Sequence, residues 1–149
     1  MKWEITIRKA QLAFQNKVYS SAIALNKEAL AMACDTYEEN LKGNTHKAIA
    51  SVMVSHFSLA DAYIATQSYD QAYLLYQKAL YFIQMTHKNT LHQSVGFKAS
   101  VYHAISKLKY EWCTFNKLHN MKLVEQHFIS PNEFHNNLNQ ILKHNQTIH

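Results

Sequence analysis

Residues 68 to 80 read SYDQAYLLYQKAL, and the reading of this stretch decides the fold. Ala72 and Ala79 are set among Tyr69, Tyr76 and Leu80. On a helix, residues seven apart share a face, so the two alanines line up as a shallow strip between bulky neighbours. Such a strip lets a second helix approach closely, while the large side chains fill the grooves beside it. The stretch contains no nucleophile beside a base, no cluster of metal ligands and no glycine loop. It is a packing device.

The same period extends along the chain. Trp3, Ile7, Ala10, Ala13 and Phe14 recur at intervals of three and four and predict a first helix to about Lys17. After a break near Asn16 and Lys17, a second helix carries Tyr19, Ala22, Ile23, Asn26, Ala29, Leu30 and Ala33 toward Leu41, with Gly43 as its left-handed C-terminal cap. Asn44 or Thr45 caps a third helix, with Ile49, Val52, His56, Leu59 and Tyr63 as its buried seam, ending near Thr66. Thr66, Gln67 and Ser68 turn the chain into a fourth helix that runs to about His87. A fifth helix, residues 90 to 118, has Phe97, Val101, Ile105, Leu108, Trp112 and Phe115 as its seam and a break or kink at Gly96. SPNE at 130 to 133 is a capping box opening a last helix through Leu142, with residues 144 to 149 as a frayed tail.

Two copies of one pattern are present. An alanine on the first helix of a pair (Ala10, Ala60) is followed by a tyrosine after the turn (Tyr19, Tyr69), an alanine (Ala22, Ala72) and an Ala-Leu pair (Ala29-Leu30, Ala79-Leu80) at identical intervals. Repetition of helix pairs is the mark of a solenoid, in which each pair buries its apolar face by stacking on the next. On Leu59, Ala60, Tyr63, Tyr69, Ala72, Tyr76, Ala79 and Leu80 the chain resembles the tetratricopeptide repeat family. Three departures stand out. Thr6 and His56 occupy the places of the usual tryptophan, Asn26 replaces a large residue, and the copies lie 50 residues apart against a family period of about 34. The resemblance implies an all-α stack of antiparallel helix hairpins with five to seven helices. Residues 3 to 41 would form the first pair, 44 to 88 the second, and 90 to 143 a divergent third pair or cap within a single domain.

Composition limits the chemistry. With 48% apolar and 17% charged residues, 149 residues suffice for one folded domain, and two glycines with one proline leave too few turns for a sandwich or barrel. A charged N-terminus and the lack of an uninterrupted apolar run of about eighteen residues predict neither export signal nor membrane span. Cys34 and Cys113 have no ligand or disulfide spacing and read as buried free thiols in a reducing cytoplasm. Of ten histidines none forms an HxxxH pair; His87 and His92 diverge on a helix, and a loop interrupts His119, His127 and His135. Adjacent Glu38 and Glu39 point apart, and Asp35 with Glu39 reads as a solvated face. No catalytic group, cofactor or metal site is expected.

The resemblance implies instead a groove lined by the first helix of each pair. Glu4, Ile7, Gln11 and Phe14 from one pair and Val54, Phe57, Asp61 and Ile64 from the other lie off the alanine seam. Of these, Ile7, Gln11, Phe14, Phe57, Asp61 and Ile64 are the expected peptide-binding residues. The carboxylate clamp of chaperone-binding relatives is not matched, since Ile7 and Ser58 stand where it needs polar and amide groups. The expected partner is a protein or peptide; the alternatives are a homodimer covering Phe14, Phe57 and Ile64, and an electrostatic binder. Residues 86 to 122 carry six lysines against Glu111 alone, so Lys98, Lys107, Lys109 and Lys117 form a candidate basic patch. A single arginine, Arg8, argues against nucleic acid.

Overall fold

The computed structural model describes residues 2–88, 95–119, 122–123 and 129–148. Among them are seven helices and no strand, so the protein is all-α. The helices are α1 (Lys2–Gln15), α2 (Tyr19–Asp35), α3 (Tyr37–Gly43), α4 (Thr45–Ala65), α5 (Tyr69–Lys88), α6 (Val95–His119) and α7 (Pro131–Ile148). The chain divides into two compact units, Met1–Leu75 and Tyr76–His149.

In the first unit α1 lies along α2, and α4 packs against α1, α2 and α3. The alanines of the repeated pattern are buried: Ala10, Ala22, Ala29, Ala60 and Ala72 have no exposed surface. The closing bonds of the α1–α2 and α4–α5 turns correspond at an offset of 50. Val18 N–H donates to Ala13 O at 2.9 Å and Ser68 N–H to Tyr63 O at 2.8 Å; Lys17 N–H donates to Phe14 O at 3.0 Å and Gln67 N–H to Ile64 O at 2.9 Å. Both are Schellman closures, in which the last helical carbonyls are satisfied by a residue in the left-handed region. That residue is Lys17 (φ 63°) in one and Gln67 (φ 60°) in the other.

Between these turns α2 ends earlier than its periodicity predicts. The helix stops at Asp35, and Thr36 bends the chain before α3. Thr36 Oγ1 donates to Met32 O at 2.8 Å, the back-bond to the preceding turn by which threonine distorts a helix. Gly43 is therefore the last residue of α3, not a left-handed cap ending α2. The cap is Asn44, whose extended backbone ends α3 and whose side chain accepts from Lys47 N–H at 3.0 Å to start α4.

α4 has buried residues around most of its circumference, which explains its apolar composition. By length and hydropathy it could cross a bilayer, a correction to the expectation that no such segment exists, but most of it is buried inside the protein. Its buried hydroxyls bond their own helix, Ser51 Oγ to Lys47 O and Ser55 Oγ to Ser51 O, both at 2.7 Å. His56 Nδ1 lies 2.8 Å from Val52 O, a carbonyl that can only accept, so this nitrogen carries the proton.

In the second unit α7 packs on α6. Trp112 is fully buried, its ring 4.4 Å from Phe134 and 6.4 Å from Tyr76. Gly96 falls in the first turn of α6, which runs unbroken from Val95 to His119; the residues just before it, where the expected break or kink would lie, are outside the described residues. Ser130 Oγ accepts from Glu133 N–H at 3.2 Å and caps α7, whose backbone continues past Leu142 to Ile148. Residues 89 to 94, with His92, and His127 lie outside the described residues. The cysteines depart from expectation: Cys34 and Cys113 are both exposed, because each falls on the solvent side of its helix rather than on the seam.

Candidate functional site

A cavity of about 220 Å³ opens in the first unit where α1, α2 and α4 meet. α1 contributes Gln11, Phe14 and Gln15 around Ala10, α4 contributes Ser58 and Asp61, and α2 contributes Asn26. The helical period explains the convergence: Gln11, Phe14 and Gln15 are successive members of one face of α1, and Ser58 and Asp61 are three apart on α4. Phe14 is held by an edge-on contact with Tyr19, the rings 5.5 Å apart. Asn26 is 2% exposed. Its Nδ2 donates to Ser58 O at 3.4 Å, and its Oδ1 has no hydrogen-bond partner.

Three of the six expected groove residues, Gln11, Phe14 and Asp61, are thus brought together. Three are not. Ile7 and Phe57 are each only 6% exposed and belong to the core. Ile64 is half-buried and does not line the cavity. Asn26 was legible only as a misfit, a polar residue at a position of α2 that otherwise continues an apolar seam.

A family model described as a protein of unknown function, DUF2753, matches residues 1–148. The chain belongs to the DUF2753 family. No curated protein and no solved structure matches it.

The DUF2753 chain has a second cavity in the same unit, of about 430 Å³, between the start of α1, the end of α2, α3 and the start of α4. Lys2, Trp3, Glu4, Asp35, Asn40 and Lys47 are among its lining residues. The groups there are engaged in structure. Trp3 Nε1 donates to Ser55 Oγ at 2.8 Å, and Lys47 Nζ lies 2.7 Å from Glu4 Oε1. The Lys47 ammonium holds the Glu4 carboxyl down to about 2, well below the ordinary carboxylate range. No periodicity links Glu4 to Lys47, so sequence reasoning missed this pair.

The lysines of the DUF2753 chain's α6 do not form one patch. Lys98 and Lys107, nine residues apart, project to opposite sides of the helix. Lys107 Nζ pairs with Glu111 at 3.1 Å and sits 5.3 Å from the centre of the Tyr110 ring. Lys109 and Lys117 do share a face, flanking a shallow depression of about 460 Å³ with Ser106, Tyr110, Cys113 and Thr114.

Proposed function

We propose that the first unit is a non-catalytic protein-interaction module of tetratricopeptide type, acting in the cytoplasm, whose α1–α4 face receives a peptide. The observation that carries the reading is the convergence of Gln11, Phe14 and Asp61 on one cavity floored by Asn26. An aromatic wall beside polar groups is the composition by which peptide grooves anchor one side chain and orient the rest. The paired turns, whose closing bonds correspond at an offset of 50, support the repeat reading.

The test is affinity capture of a partner from native lysate, followed by titration of the purified partner. Gln11→Ala combined with Asp61→Ala is expected to weaken binding by about tenfold or more with the helical circular dichroism unaltered. Undiminished affinity rejects the site.

Self-association is the second reading, and exposed Ile5 and Leu12 support it. Seven residues apart on α1, they are 55% and 57% exposed. A dimer formed there would dissociate on Leu12→Lys, read by light scattering across a concentration series.

A further inference from the structure

α2 and α6 each turn a stripe of the same spacing toward solvent, and we infer that these two faces bind each other between copies of the chain, α6 of one protomer lying along α2 of the next. The inference is independent of the groove reading. On α2 the stripe is Ala24, Glu28, Ala31 and Asp35, all exposed. On α6 it is Ser106, Tyr110, Cys113 and Lys117, the last three exposed, with Lys109 at its edge; all five line the shallow depression on that helix. Steps of four, three and four keep each set on one side of its helix. α2 therefore carries two alanine strips: Ala22, Ala29 and Ala33 are buried inside the first unit, whereas Ala24 and Ala31 are left uncovered.

Charge and shape commit the α6 face to a second copy. Glu28 and Asp35 are seven residues apart and Lys109 and Lys117 eight, rises of about 10 and 12 Å along their helices. Among the described residues none of these four makes an ion pair, while Lys107 and Glu111 beside them are paired with each other. Laid parallel, Lys109 meets Glu28, Lys117 meets Asp35 and Cys113 falls over Ala31. Tyr110, 67% exposed, then enters the shallow strip between Ala24 and Ala31, bulk set against alanine as in the close approach of packed helices. Run antiparallel, keeping both ion pairs would carry Tyr110 past Ala31 to Asp35 at the end of α2. Lys27, about 100° round from Glu28, falls to the side of the contact. Because the two faces differ, the contact is heterologous, and each copy keeps one face for the next.

The test is sedimentation velocity of the full chain over a concentration and potassium chloride series, with every variant made in a Leu12→Lys background so that the α1 face does not contribute. Association that weakens as salt rises is expected, because exposed charges are screened. Lys109→Glu with Lys117→Glu, and separately Glu28→Lys with Asp35→Lys, should each cut the association constant by about tenfold or more, through like charges set face to face. Mixing the two reversed proteins should restore it, since each supplies the face the other lacks. In a second arm, Ala31→Cys with Cys34→Ser is oxidised with copper phenanthroline. The introduced thiol should bond to Cys113 of another copy and build a covalent ladder. A chain that stays monomeric throughout, association indifferent to both reversals, or a mixture that stays apart overturns the inference. So does a product joined through Cys113 on both sides, or a bond closed within one chain. None of these outcomes touches the groove reading.

Discussion

Glu4 shows how much one residue can contribute through an unrelated segment of chain. Its carboxylate reaches Lys47, on α4, and is held down to about 2 by that ammonium. A carboxyl whose folded-state pKa is depressed stabilises the fold above its unfolded value, and the contribution disappears as pH falls through the folded one. The window here runs from the ordinary glutamate range down to about pH 2. Because the pair is partly exposed, its contribution is about 1 kcal/mol or less. Urea melts of the protein and of Glu4→Gln should differ by that amount at neutral pH and converge toward pH 2; a gap that persists in acid would assign the stabilisation to something other than charge. Cys34 is a second case: surrounding protein, then Asp35, push its thiol up, so it should react slowly with thiol reagents for an exposed cysteine.

At the scale of the element, the features readable in advance are those encoded within a few residues. The Asn44 cap, the Ser130 cap and the turns at Lys17 and Gln67 each depend on a side chain or backbone bond spanning three to five positions, so a local pattern announces them. The bend at Thr36 has the same reach, but its signal is a single back-bonding hydroxyl among ordinary helix formers. Which side of α4 stays open was not readable, because periodicity gives a helix's apolar face without saying how many neighbours cover it, and Phe57 is buried. Likewise the convergence of Gln11 and Asp61 follows from how α1 meets α4, which neither segment states alone.

Two further outcomes belong to the elements. A residue with a side chain in the left-handed region is strained, so Lys17→Gly and Gln67→Gly should each stabilise by about 0.5 to 1 kcal/mol after the entropy glycine adds to the unfolded chain. Unchanged denaturation midpoints would refute the strain. Ala72, with no exposed surface, should tolerate nothing larger, and Ala72→Leu should cost about 1 to 3 kcal/mol by overpacking. A melt like that of the unmodified protein would deny close helix approach at that position.

For the whole molecule, a net charge of +5 invites an electrostatic partner, but the charge is dispersed. On α6, Lys109 and Lys117 flank one depression, and two phosphate contacts give a salt slope of about −2 on a logarithmic plot of affinity against salt. Fluorescence anisotropy with random-sequence duplex DNA over a potassium chloride series should find this shallow dependence. A markedly steeper line would reveal a wider basic footprint.

The matched closures at Lys17 and Gln67 carry an implication for building with this protein. Because both bends repeat the same closing bonds at the same interval, residues 19–68 form a cassette that begins and ends in the same phase. A further copy of that cassette spliced in after Ser68 would preserve the closing bonds at each junction, offering a route to longer arrays without redesigning a joint.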